Sequence, residues 1–179
     1  MIYRPPQDAD FPGMQALDLE LLRSEFPKFA ALTERERAAL IRSGLPSLRF
    51  YARSEHSFVA IEGELADPLE PTSVSGFVLA QSVWMGDKAM VWVSSLRIHH
   101  DAPAAVLPGL LHAVTKSAYD GAVYEIHLAA DKHLLPFADR EGYVEAGKHL
   151  VRLLGSRTVG PRAPKTNPDS THADLAPVQ

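Results

Sequence analysis

Leu96 to Leu111, LRIHHDAPAAVLPGLL, reads as an extended strand turning sharply into a helix. At such a corner in α/β proteins, backbone N–H groups of a helix N-terminus hold ligand phosphates, and glycines let the backbone approach closely. Here His99, His100, Asp101 and Pro103 stand where those glycines would be. Neighbouring histidine and carboxylate ligands also suit zinc. However, consecutive residues of an extended segment point to opposite faces, so adjacent histidines are a poor grip for one ion and no metal is expected. A second polar set comprises Tyr119, Asp120, Tyr124, Glu125 and His127. Strand alternation puts Val123, Glu125 and His127 on one face and Tyr124, Ile126 and Leu128 on the other, so Glu125 and His127 are expected to pair.

These groups must be positioned by a regular framework. IYRPP is a short extended opening that its prolines keep from helix. QDADFPGMQALDLELLRSEF predicts a helix capped by Asp8 or Asp10, with Leu17, Leu21 and Leu22 on one face and an end near Phe26 and Pro27. LTERERAALIRSG predicts a second, solvated helix with a Thr33/Glu36 capping box, Glu34 and Glu36 lying near Arg37 and Arg35 on its charged face, and Gly44 as its stop. Four extended runs follow: RFYAR, SFVAIEG, VSGFVLAQSVW and AMVWVSSLRIH. ELADPLEPTS is a loop, and Gly86-Asp87 is a hairpin turn flanked by Trp84 and Trp92.

The next helix, APAAVLPGLLHAVTKSAYDG, is expected to have Asp101 as its N-cap, Leu107, Leu111, Val114 and Ala118 on one face, and Gly121 at its end. Pro108 predicts either a kink or a helix that begins only there. AVYEIHLAA then lies parallel to VWVSSLRIH through a right-handed crossover. A last helix, DKHLLPFADREG, leads to the strands YVEAG and HLVRLLG. Residues 1–155 read as one domain, and 156–179 as a flexible Pro-rich tail.

Composition narrows the classes. The 179 residues are 46% apolar and 22% charged, as in ordinary globular domains. A net charge of -4 gives no general attraction to nucleic acid or anionic lipid. With no cysteine, disulfides, thiolate metal sites and cysteine nucleophiles are excluded. No apolar signal core or run of roughly 20 apolar residues appears, so the cytoplasm is the simplest address and neither membrane nor nucleic acid is an expected partner.

The element order, together with IYRPPQDAD, FVAIEG before VSGFVLAQ, and FADREGYVEAG, resembles the Gcn5-related N-acetyltransferase (GNAT) fold over Ile2 to Leu154. LLHAVTKSAYDGAVYEIHL is similar to a bacterial branch of that fold with no assigned reaction. The resemblance implies an α/β, three-layer fold: a mixed, mostly antiparallel sheet with one parallel pair, and helices on both faces. It also implies acetyl-CoA or another acyl-CoA as cofactor, a small-molecule or protein amine as acceptor, and a possible homodimer.

On that resemblance, the cofactor would lie against Leu96, Ile98, Ala102, Ala104 and Ala105, with a strand N–H from Ser95 to Ile98 polarising the thioester. The base candidates are His99, His100, Glu125 and Asp131, of which His100, Glu125 and Asp131 are carried forward without one standing out. The chain departs from the family pattern at the glycine-free HHDAPAAV corner and at Ala138, where the family often has a proton-donating tyrosine. Those departures sustain an alternative: a non-catalytic module that binds a protein or small ligand through the old cleft.

Overall fold

The computed structural model describes residues 1–63, 73–129, 134 and 141–144. By contact the chain divides into two compact units, Met1–Leu134 and Leu135–Gln179. In the second, Gly142 sits in a turn with φ 77. The expected last helix, the strands after it, the 155/156 boundary and the tail lie wholly or largely outside the described residues.

The first unit is built on a five-stranded sheet in the order β1(Ile2–Arg4), β2(Phe58–Ile61), β3(Val74–Met85), β4(Lys88–Ile98), β5(Ile126–His127). All pairs are antiparallel except β4 with β5, which is parallel. Strand alternation sends Ala60, Val78, Ala80, Val91 and Val93 to one face, where α4(Val106–Asp120) covers them. Val59, Ile61, Phe77 and Leu79 go to the other, against Phe11, Met14 and Leu17 of α1(Phe11–Glu25) and Leu48 of α3(Leu45–Tyr51). The β3–β4 hairpin turns at Gly86-Asp87, where Gly86 has φ 67 and Asp87 does not enter the left-handed region, the type II′ pattern.

Several sequence expectations need correction. RFYAR is not a strand: Arg49, Phe50 and Tyr51 complete α3, whose first turn holds Pro46. Gly44 starts that helix rather than stopping α2(Glu34–Leu40), which ends at Ile41. The Thr33/Glu36 capping box forms as expected. Neither Glu34 nor Glu36 makes an ion pair among the described residues, and Glu36 turns back to Thr33 at 2.7 and 2.8 Å. Asp10 precedes α1 but does not cap it, because its carboxylate takes both guanidinium nitrogens of Arg4, at 2.6 and 2.8 Å.

α4 begins at Val106, with Ala105 as N-cap, so Asp101 is no cap and Pro108 falls harmlessly in the first turn. Its buried stripe is Val106, Leu110, Val114 and Ala118 with Leu111, and Leu107 is only half-buried. The helix ends in a Schellman motif: Val123 N–H donates to Ala118 C=O and Ala122 N–H to Tyr119 C=O. The left-handed residue is Ala122, with φ 55, not Gly121.

Candidate functional site

β4 carries the site because it is longer than its parallel partner. The two strands pair only at Val91 with Ile126 and Trp92 with His127, yet β4 continues to Ile98. A bulge explains the parting. Leu79 opposes Ser95 while Ala80 opposes Val93, which leaves Ser94 as an extra residue. An extra residue bends and over-twists the strand that carries it. It also shifts the alternation: Val91 and Val93 face α4 before the bulge, and Leu96 and Ile98 face it after. From Val93 to Ile98, β4 has no described strand on its β5 side.

That edge leads into the corner at residues 99–105. Ile98 is followed by a turn in which His99 N–H donates to Ser75 C=O, Ala102 N–H to His99 C=O and Val106 N–H to Pro103 C=O. Asp101 N–H donates to His99 Nδ1 at 3.2 Å. Pro103 has no N–H. The N–H groups of Ala104, Ala105 and Leu107 have no hydrogen-bond partner among the described residues. They cluster at the start of α4, where the helix dipole favours negative charge. Tyr3 closes the other side of this turn: its hydroxyl, held protonated because burial raises its pKa, donates to Ala105 C=O at 2.9 Å.

The corner is charged. Glu20 of α1 places Oε1 3.3 Å from both His99 Nε2 and His100 Nδ1, and His100 Nε2 lies 3.1 Å from Asp101 Oδ2. The two imidazoles stack with centroids 4.4 Å apart, against the expectation that adjacent histidines point opposite ways; the chain has already left the strand. Glu20, His99 and His100 bring three donor atoms within 4.8 Å of one another. Because His99 Nδ1 accepts a backbone N–H, the neutral ring carries its proton on Nε2, the nitrogen 3.3 Å from Glu20 Oε1.

The remaining candidates are spread out. Leu96, Ile98 and Ala102 are half-buried, with side chains packed against the α4-side core, whereas Ala104 and Ala105 are exposed. Glu125 precedes β5 and accepts Val91 N–H through its carbonyl. It therefore stands at the start of the parallel pair, not at its C-terminal end. Seven residues of extended chain, about 23 Å at 3.3 Å each, separate the Val91 level from Ile98, so Glu125 and His100 are not brought together. Glu125 does meet His127, at 3.4 Å, and that hydrogen bond, with help from Lys88, lowers its carboxyl pKa. The His127 ring stacks on Trp92, while Trp84 is exposed. Asp131 and Ala138 lie outside the described residues.

Sequence reasoning missed what anchors the corner. Arg97 Nε donates to Asp18 Oδ1 at 2.8 Å, and Asp18 Oδ2 accepts from Arg42 N–H, Ser43 N–H and the Ser43 hydroxyl. Asp18 is fully buried. The available signal was an acid on the apolar stripe Phe11, Met14, Leu22.

A mixed five-stranded sheet, α4 crossing between a splayed parallel pair, and a helix-start corner at the end of β4 define a GNAT-like α/β fold. A predicted acetyltransferase solved with acetyl-CoA from Clostridium acetobutylicum shares it at 12% identity and TM-score 0.60, over 86% of this chain and 96% of that one. So does a transcriptional regulator from Bacillus halodurans, at 14% identity, TM-score 0.60, and 85% and 98% coverage. The chain belongs to the family described as protein of unknown function DUF1999, which it matches over residues 1–167. TTHA1254 of Thermus thermophilus is similar at 35% identity and TM-score 0.61, over 88% of this chain and 100% of that one. No curated protein matches the chain. No helix among the described residues is long and apolar enough to cross a membrane.

Proposed function

We propose that this protein binds acyl-CoA along β4 and transfers the acyl group to an amine. One observation carries the reading: among the described residues, the β4 edge from Val93 to Ile98 has no strand on its β5 side and runs directly into three N–H groups at the start of α4 that have no partner. An edge of that kind accepts an extended, amide-bearing arm as it would an added strand. The N–H groups of Ala104, Ala105 and Leu107 suit phosphate oxygens. Bound acyl-CoA would supply the thioester. A β4 N–H between Ser95 and Ile98 polarises its carbonyl, and His100, beyond the same end of β4, takes the amine proton, with Glu20 beside its Nδ1. The likeness to the acetyl-CoA-bound Clostridium acetobutylicum protein supports the fold this requires.

A second reading is a non-catalytic module that uses the same cleft for another ligand. It is favoured by the exposed Asp101 carboxylate and the missing N–H of Pro103, both of which oppose a diphosphate at this corner. Thermal-shift titration separates the two. Saturation at 100 times Kd stabilises a fold by about 2.7 kcal/mol, so millimolar acetyl-CoA should raise Tm by several degrees. An unchanged Tm contradicts acyl-CoA binding and leaves the module.

A further inference from the structure

At the other end of α4 lies a hydrogen-bonded chain that the acyl-CoA reading does not use. His56, 4% exposed, sits between two serines: Nδ1 is 2.9 Å from Ser117 Oγ and Nε2 is 2.8 Å from Ser82 Oγ. The direction of the chain follows from its anchor. The Ser117 hydroxyl donates to Val114 C=O at 2.8 Å, so its oxygen must accept from His56, which places the imidazole proton on Nδ1. Nε2 is then a lone pair facing Ser82, and the Ser82 hydroxyl donates to it. Burial lowers the His56 pKa and keeps that lone pair free at neutral pH. Ser82 itself is exposed.

A hydroxyl on a base that a third group orients is the arrangement of an activated nucleophile. Ser82 opens into a cleft of about 410 Å³ that Phe50, Arg53, Glu55 and Gln81 also line. The Phe50 ring is exposed and offers an apolar wall. The Arg53 guanidinium has no ion pair among the described residues, and it is the cation available to charge developing on a carbonyl oxygen. Ser117 lies eleven residues along α4 from Val106, about 17 Å at 1.5 Å per residue, so this site is separate from the corner.

We infer that Ser82, His56 and Ser117 form a nucleophilic relay that takes acyl groups from small activated carboxylic esters. Ser82 Oγ bonds to the carbonyl carbon as its proton passes to His56 Nε2. The carbon–oxygen bond to the alcohol then breaks, and Nε2 returns that proton to the departing oxygen. Water attacks the acyl-serine, Nε2 carries one of its protons back to Ser82 Oγ, and the acid leaves; ester plus water gives acid plus alcohol. His56 and Ser82 are the catalytic residues, and Ser117 is a positioning residue. Because Ser117 is neutral, it stabilises an imidazolium less than a carboxylate would, which limits the substrates to esters with good leaving groups.

The test uses the full chain and p-nitrophenyl acetate, following nitrophenol release and locating the acetyl group by peptide mass. Acetylation of Ser82 is expected, with release falling tenfold or more, on the order of a general-base contribution, in Ser82→Ala and in His56→Gln that retains its circular dichroism. Ser117→Ala should lower the rate and Ser117→Thr, which keeps the hydroxyl, should restore it; loss of fold would not be repaired selectively in this way. Acetylation confined to lysines, or undiminished release from Ser82→Ala, overturns the relay.

Discussion

At its N-terminal end α4 meets β4 through a corner with three N–H groups that nothing in the described protein answers. At its C-terminal end the polar groups answer one another: Val123 and Ala122 close the Schellman motif, and Val114 C=O, Ser117, His56 and Ser82 form an unbroken chain. The contrast separates open from closed polar groups on one helix. Unanswered N–H groups at a water-facing helix start cost little and stay available to an anion. Buried groups such as His56 must be satisfied internally, and the same satisfaction that stabilises them fixes a tautomer.

The largest expected effect concerns what holds the open end in place. Asp18→Ala would leave Arg97 and the Arg42 and Ser43 N–H groups without their acceptor, and should cost about 3–5 kcal/mol in urea unfolding. A loss under about 1 kcal/mol would mean the corner does not depend on that pair. Next is Gly109→Ala. A Cβ there would overlap the Tyr3 ring and push its hydroxyl from Ala105 C=O, so about 1–3 kcal/mol should be lost, together with any acetyl-CoA response; wild-type stability would contradict this packing.

At the closed end, Ala122→Gly should stabilise by about 0.5–1 kcal/mol, since glycine removes the left-handed penalty and gives back part of it as unfolded-chain entropy. A destabilised variant would contradict the assignment of Ala122 as the left-handed residue. Asp101→Gly should tighten acetyl-CoA a few-fold by removing a carboxylate from the anion's approach, an effect that salt weakens; unchanged affinity would refute the charge argument.

The last expected effect is a slope. Burial depresses the His56 pKa, against the opposite pull of Glu55. The charged groups near it are Glu55 and Arg53 on the α3–β2 segment, while β3 and α4 present the Ser82 and Ser117 hydroxyls. The unfolded chain therefore takes up this proton first, and stability should fall as pH drops below the usual histidine value of 6.5. His56→Gln should flatten that part of the profile, and an unchanged slope would show that His56 is not its source.

The framework was legible where local chemistry and tertiary structure agreed. Thr33 and Glu36 cap a helix wherever one follows, Gly86-Asp87 turns a hairpin, and the alternation of β2, β3 and β4 matches their two covered faces. α3 was misread because Phe50 and Tyr51 favour strands, while Gly44 followed by Pro46 equally marks a helix start. Asp101 was misread as a cap because the turn runs four residues further before α4 begins. The relay was invisible for a different reason: Ser82 and Ser117 lie 26 and 61 residues from His56, so no spacing links them. The open edge of β4 rests on Ser94, whose extra place in the ladder only the pairing with β3 reveals.

Whether this open edge and corner receive acyl-CoA is tested most directly by amide NMR of the labelled chain during acetyl-CoA titration. Saturable shifts at Ala104, Ala105 and Leu107, continuing along Val93 to Ile98 while Ser82 and Ser117 stay still, are the predicted result. Saturating acetyl-CoA that leaves those amides unmoved, or moves only residues at the far end of α4, would contradict it.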